Sequence, residues 1–169
     1  MFLSKVTEFH LVKEREIEVF LKKFIKNKSI SKLEKDFIAI AADLISGKEV
    51  LMNRGSLFKA IRASIAYPGL LSSLRYGTWL LIDGGIVDHI PVRVAKKRAH
   101  IVIAVSVYPG IEKLKYPHFP NLFQVMQRSL GMMEDTIINL GLEEADVVIK
   151  PKVYNIKMLD FDKAKQAIK

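Results

Sequence analysis

No cysteine occurs in the 169-residue chain, which excludes disulfides and thiolate metal sites and says nothing firm about compartment. Its four histidines, His10, His89, His100 and His118, never fall at a metal-ligand spacing on one helix. No metal and no cofactor is expected. Apolar runs such as Ile101 to Val105 are far shorter than the ~18 residues of a spanning helix. The N-terminus carries no charged leader followed by an apolar block and a small-residue cleavage site, so the expected location is cytoplasmic, with peripheral membrane contact left open. Acidic residues are outnumbered, 18 Asp and Glu against 27 Lys and Arg, for a net charge of +9. The basic residues are spread along the chain, with no cluster denser than Lys96-Lys97-Arg98 and no interleaved aromatics. Nucleic acid is therefore not an expected partner.

What is present is ordinary globular composition, half hydrophobic and about a quarter charged, in a length that fits a single domain over residues 1–169. The chain is organised around Thr78 to Pro91. There a short apolar run, Trp79-Leu80-Leu81-Ile82, drives into Asp83-Gly84-Gly85, and Pro91 opens a helix. In open α/β sheets, ligands and catalytic groups collect at the carboxyl ends of strands, which makes Asp83 the first candidate for chemistry. Gly84 and Gly85 permit a tight or left-handed turn and close approach of other groups to the backbone. A plain Asp-Gly-Gly turn is the competing reading of the tripeptide.

Glu14 to Lys26 reads as an amphipathic helix, with Ile17, Phe20, Leu21, Phe24 and Ile25 at three- and four-residue steps. Ser31 to Glu34 has capping-box spacing and predicts one helical turn. Phe37 to Asp43 is apolar on both faces, which suits a strand in a sheet covered on either side. Ser46-Gly47 predicts a turn and Glu49 to Met52 a return strand. Ser56 predicts a cap for a helix from Leu57 to about Ala66, with Leu57, Ile61 and Ile65 inward and Lys59 and Arg62 outward. Ile101 to Val107 reads as a buried parallel strand and Tyr108 to Pro120 as a loop. Asn121 to Leu140 reads as a long helix, with Leu122, Met126, Leu130, Met133 and Ile137 on its inward stripe and the methionines as core filler. Asp146 to Ile149 predicts a last strand and Phe161 to Lys169 a terminal helix. Alternation of strands and helices predicts a three-layer α/β/α fold with a mainly parallel sheet.

Four segments in order carry more than this. Ala41-Ala42-Asp43-Leu44 with Ser46-Gly47, then Arg62 to Gly69, then Leu81 to Val87 with Pro91, then Ile101 to Val105, resemble the C-terminal two-thirds of a patatin-like phospholipase. The resemblance covers residues 14–169 and implies an incomplete patatin-like fold. It also implies a serine acyl hydrolase, often acting on lipids, with a serine and an aspartate and no histidine. Asp83 then matches the dyad aspartate, the general base toward the serine, with Gly84, Gly85 and His89 supporting its loop. His89 stands where the family pattern has asparagine.

The family's Gly-x-Ser-x-Gly elbow and glycine-rich oxyanion loop occur nowhere in the sequence, and each serine fails the context of an elbow. Ser64 is the nearest substitute, and packing is its better reading. The expectation is thus the aspartate-bearing part of a lipid or ester hydrolase, inactive alone. It is expected to associate with a companion chain bearing the nucleophile or with itself. The alternative is a non-catalytic binding or scaffold protein of the same fold at anionic membrane surfaces.

Overall fold

In the computed structural model, which describes residues 14–25, 28–111, 120–153, 156 and 163, the chain divides into two units, Met1–His89 and Ile90–Lys169. The first unit opens with helix α1, Glu14–Phe24, and a 3-10 turn at Ile30–Lys32. That turn starts one residue before the predicted capping box, and no side chain caps it. Strands β1 (Ala39–Asp43) and β2 (Lys48–Met52), helix α2 (Leu57–Ser64) and strands β3 (Leu74–Tyr76) and β4 (Trp79–Asp83) follow.

The four strands form one sheet in the order β2-β1-β4-β3, and every pairing in it is antiparallel. This corrects the expectation of a mainly parallel sheet. A parallel crossover needs roughly a dozen residues or more, whereas β1 turns into β2 over Leu44 to Gly47 and β3 into β4 over Gly77 and Thr78. Gly77, at φ +62°, supplies the left-handed first position that such a two-residue hairpin requires. The apolar run of β1 does mark burial, since all five of its residues are buried. Burial on both faces does not fix strand direction, and that is why the composition misled.

Helix α2 packs on this sheet through Ala60 and Ala63, both fully buried against Ala41 and Leu81. Small residues at the contact let the helix backbone approach the strands closely. The Ser56 hydroxyl caps the helix by accepting from the Lys59 N–H at 3.3 Å. Two sides are reversed from expectation: Arg62 is 1 % exposed, whereas Ile65 is 38 % exposed. Arg62 turns inward because its guanidinium finds the Ser72 carbonyl, at 3.2 Å from both terminal nitrogens, and the Ser72 hydroxyl at 3.1 Å.

The second unit contains helix α3 (Val92–Lys96), strand β5 (Ile103–Val105), helix α4 (Leu122–Glu143) and strand β6 (Val147–Ile149). Here the parallel expectation holds, with β5 and β6 paired from Ile103↔Val147 to Val105↔Ile149. Asp146 anchors the pair by accepting from the Val102 N–H at 2.8 Å. β5 is not buried on both faces, however: Ala104 is buried, and Ile103 and Val105 are 59 % and 56 % exposed. Asn121 and Gln124 close a reciprocal capping box on α4. Its inward line is Glu134, Ile138 and Leu142, the last two packing with Val92, Val102 and Ala104. The expected stripe is displaced around the helix, and Met126 and Met133 are exposed. The terminal helix expected over Phe161 to Lys169 and most of the Tyr108–Pro120 loop lie outside the described residues.

Candidate active site

Asp83 is the last residue of β4 and lies opposite Ala41 of β1. Its backbone N–H donates to the Ala66 carbonyl at 3.0 Å, which ties the end of the strand to the exit of α2. Its carboxylate caps the 3-10 turn Gly84–Ile86 by accepting from the Gly85 N–H at 2.8 Å. That bond uses one oxygen; among the described residues the other has no hydrogen-bond partner.

Partial burial pushes the Asp83 carboxyl above the usual carboxylate range, against the Gly85 N–H and the nearby His89 ring, which both favour the ionised form. A carboxylate raised in this way is a better proton acceptor near neutral pH than a solvated one.

The two glycines are needed for space rather than for a left-handed backbone, since neither has a positive φ. A Cβ on Gly84 would overlap the Ile40 carbonyl of β1. A Cβ on Gly85 would stand 2.6 Å from His89 Nδ1 and 3.1 Å from Asp83 Oδ1. The three loop residues singled out with Asp83 are therefore gathered around it, with His89 exposed to solvent and its ring over Gly85.

No serine joins them. Among the described residues, no serine hydroxyl donates to Asp83. Ser46 donates to Asp43, Ser56 caps α2, Ser72 is held by Arg62, and Ser64 is the last residue of α2. The sequence reading missed the Arg62–Ser72 clamp, which fixes the segment leading into β3 and so the edge against which β4 pairs. Its sequence signal is weak, an arginine two residues after Ala60 on the packed side of a short helix.

A second carboxylate, Asp43, ends β1 two residues beyond Ala41, which lies opposite Asp83. Its side chain accepts from the Ser46 hydroxyl at 2.6 Å, the Leu80 N–H at 2.9 Å, the Ser46 N–H at 3.1 Å and the Ile45 N–H at 3.3 Å. These bonds, led by the Ser46 hydroxyl, hold its carboxyl below the usual range. It fixes a turn and offers no free acceptor for chemistry.

Comparison with known proteins finds relatives of this chain. An uncharacterized NTE family protein of Mycobacterium tuberculosis is 39 % identical over 71 residues, 42 % of this chain and 12 % of the relative. A second NTE family protein of that organism is 44 % identical over 80 residues, 47 % of this chain and 22 % of the relative. Lysophospholipase NTE1 of Debaryomyces hansenii is 26 % identical over 133 residues, 64 % of this chain and 9 % of the relative. The chain thus spans between 9 % and 22 % of the length of these relatives. The family model for patatin-like phospholipase matches residues 3–96, a stretch that includes Asp83, Gly84, Gly85 and His89. The chain belongs to the patatin-like phospholipase family.

Proposed function

We propose that this chain contributes the general base, Asp83, to a serine–aspartate site that hydrolyses acyl esters of lipids, and that it is inactive without a nucleophile from outside these 169 residues. The observation that carries this reading is the Asp83 carboxylate itself. It stands at the end of a strand, is braced on one side by the Gly85 N–H, and is raised toward neutrality by burial. With one oxygen held and the other open, it is oriented to take a proton from a hydroxyl brought to it and to return that proton to the leaving group. Membership of a lipid hydrolase family and likeness to a protein named lysophospholipase support an acyl ester of a lipid as the substrate class.

Inactivity in isolation is supported by the serine contexts of the sequence. No serine sits in a Gly-x-Ser-x-Gly elbow. Loss of the nucleophile alone removes roughly 10⁶ in rate from a serine hydrolase. The purified chain should neither react with a serine-directed fluorophosphonate nor show turnover of an activated short-chain ester that depends on Asp83. Co-expression with the nucleophile-bearing segment of a patatin-like relative should restore turnover, and Asp83→Ala should then lower it by about 10⁴. Stoichiometric labelling of one serine in the isolated chain, lost in Asp83→Ala, would place the whole site within these residues and overturn the proposal. Restored turnover that is indifferent to Asp83 would remove its role as base.

A further inference from the structure

We propose that the hairpin tips at the Asp43 end of the first unit dock on an anionic lipid bilayer, with Leu44, Ile45 and Trp79 entering the interface. The β1–β2 turn and the β3–β4 turn lie side by side at this end. Asp43 pairs with Leu81, and the ladder runs one step further through the Leu44 N–H, which donates to the Leu80 carbonyl at 2.9 Å. Ile45 follows Leu44 in its turn, and Trp79 opens β4 next to Leu80. All three apolar side chains stand out in water: Leu44 is 54 % exposed, Ile45 63 % and Trp79 40 %. Two large aliphatic residues in succession at a turn, where polar residues and glycine usually serve, are a cost that folding itself does not explain.

The tip is held rather than loose. The Asp43 carboxylate accepts from two backbone N–H groups of the turn, Ile45 and Ser46, and from the Leu80 N–H across the sheet. Trp79 is stacked on Tyr76, with ring centroids 6.3 Å apart and planes 13° from parallel, and Lys59 Nζ lies 5.6 Å from the centre of the Tyr76 ring. A preformed apolar tip loses little further conformational entropy when it inserts.

Charge and residue type identify the occupant. Lys48 pairs with Asp43 on one flanking strand and Arg75 with Leu80 on the other, so two exposed cations border the tip. Glu49, one step further along β2, is the nearest acidic residue in that strand and lies behind Lys48. An aromatic ring with a polar edge, flanked by aliphatic residues and rimmed by lysine and arginine, matches the boundary between acyl chains and anionic head groups. A protein partner would more often be met by a flatter face of larger area. The inference does not depend on Asp83 having a catalytic role.

Trp79 is the single tryptophan of the chain, so its emission reports on the tip directly. The full chain would be mixed at low salt with phosphatidylcholine vesicles containing about 30 % phosphatidylserine, and with phosphatidylcholine alone, since anionic head groups attract the basic rim. Expected are co-sedimentation with the anionic vesicles, a blue shift of Trp79 emission, and quenching by lipids brominated on the acyl chain. Leu44→Ser with Ile45→Ser should weaken binding by about tenfold or more, because two exposed aliphatic side chains lose their gain on transfer from water. Both positions are exposed, and unchanged thermal unfolding of this variant would confirm that folding is intact. Absence of binding to anionic vesicles would overturn the proposal, as would binding that leaves Trp79 emission unmoved. Self-association of the wild-type chain that the same double variant abolishes would assign the tip to a protein contact instead. None of these readings involves turnover, so they stand or fall apart from the role of Asp83.

Discussion

Gly84 offers the sharpest test of how the candidate site is built. Its φ lies outside the left-handed region, so alanine meets no backbone penalty there. In open space the change would stabilise by about 0.4–1 kcal/mol through the unfolded chain. The added Cβ instead overlaps the Ile40 carbonyl and stands 2.9 Å from the Ile40 Cβ, in the centre of a sheet where backbone cannot move aside. Overpacking of that kind costs roughly 1–3 kcal/mol, and the net expectation is about 2 kcal/mol of destabilisation. Gly85→Ala is the internal control. It carries the same unfolded-state gain, but its Cβ meets side-chain atoms, His89 Nδ1 at 2.6 Å and Asp83 Oδ1 at 3.1 Å, rather than backbone, so its cost should stay below that of Gly84→Ala, at about 1 kcal/mol. Urea unfolding followed by Trp79 fluorescence reads the unit concerned, and about 2 kcal/mol corresponds to roughly 1 M in midpoint for a small unit. A midpoint for Gly84→Ala equal to or above wild type would refute the close approach of β1 to this loop. So would a larger fall for Gly85→Ala than for Gly84→Ala.

Arg62→Lys keeps the charge but cannot reproduce the fork onto the Ser72 carbonyl and hydroxyl, and the residue is 1 % exposed. It should cost about 2–3 kcal/mol in the same unfolding assay; a loss under about 0.5 kcal/mol would show that the clamp contributes nothing. The two aspartates should give opposite pH dependence. Asp43 is held below its ordinary value of 3.8, so its stabilising contribution is present above that value and is lost as pH falls through the lowered one. Asp83 is raised, so its contribution is complete below 3.8 and is lost as pH rises through the raised value. Thermal unfolding from acid to neutral pH should therefore show the deficit of Asp43→Asn shrinking as pH falls. The advantage of Asp83→Asn over wild type should grow as pH rises; a constant offset for either variant would contradict the assigned environment.

Much of the first unit was legible because its signals are local. The apolar runs of β1 and β4, the cap at Ser56 and the break at Ser46-Gly47 are written into neighbouring residues and fall within a residue or two of the observed elements. Strand direction was not legible, because a run buried on both faces reads the same in either orientation. Strand β3 was passed over although Leu74-Arg75-Tyr76, Gly77-Thr78 and Trp79 spell a two-residue hairpin. Arg62 and the α4 stripe failed for a different reason. In each case a polar partner supplied by another segment or by packing, not the helical period, decides which side faces inward. Asp83, Gly84 and Gly85 were singled out by the apolar strand running into an Asp-Gly-Gly turn and His89 by family pattern, and the tight packing that makes Gly84 necessary has no trace in the sequence near it, since Ile40 lies on another strand.

Asp43 and Asp83 carry the same sequence sign, an aspartate closing an apolar strand before a turn, and they end neighbouring antiparallel strands. Direction therefore separates them. Antiparallel pairing points the ends of the two strands in opposite directions: with Ala41 opposite Asp83, Asp43 stands two residues away along the sheet, about 7 Å by strand rise. At one end the turn of Leu44 to Gly47 folds back over Asp43 and saturates it with four hydrogen bonds, which removes it from chemistry and makes it the brace of an exposed apolar tip. At the other end the turn of Gly84 to Ile86 moves forward from Asp83, gives it one N–H and leaves it part-buried, which raises its pKa and keeps an oxygen open. The antiparallel arrangement makes one a structural anchor and leaves the other open as the proposed base, and it puts the proposed lipid contact at the opposite end of β4, about 13 Å away for four residues of strand.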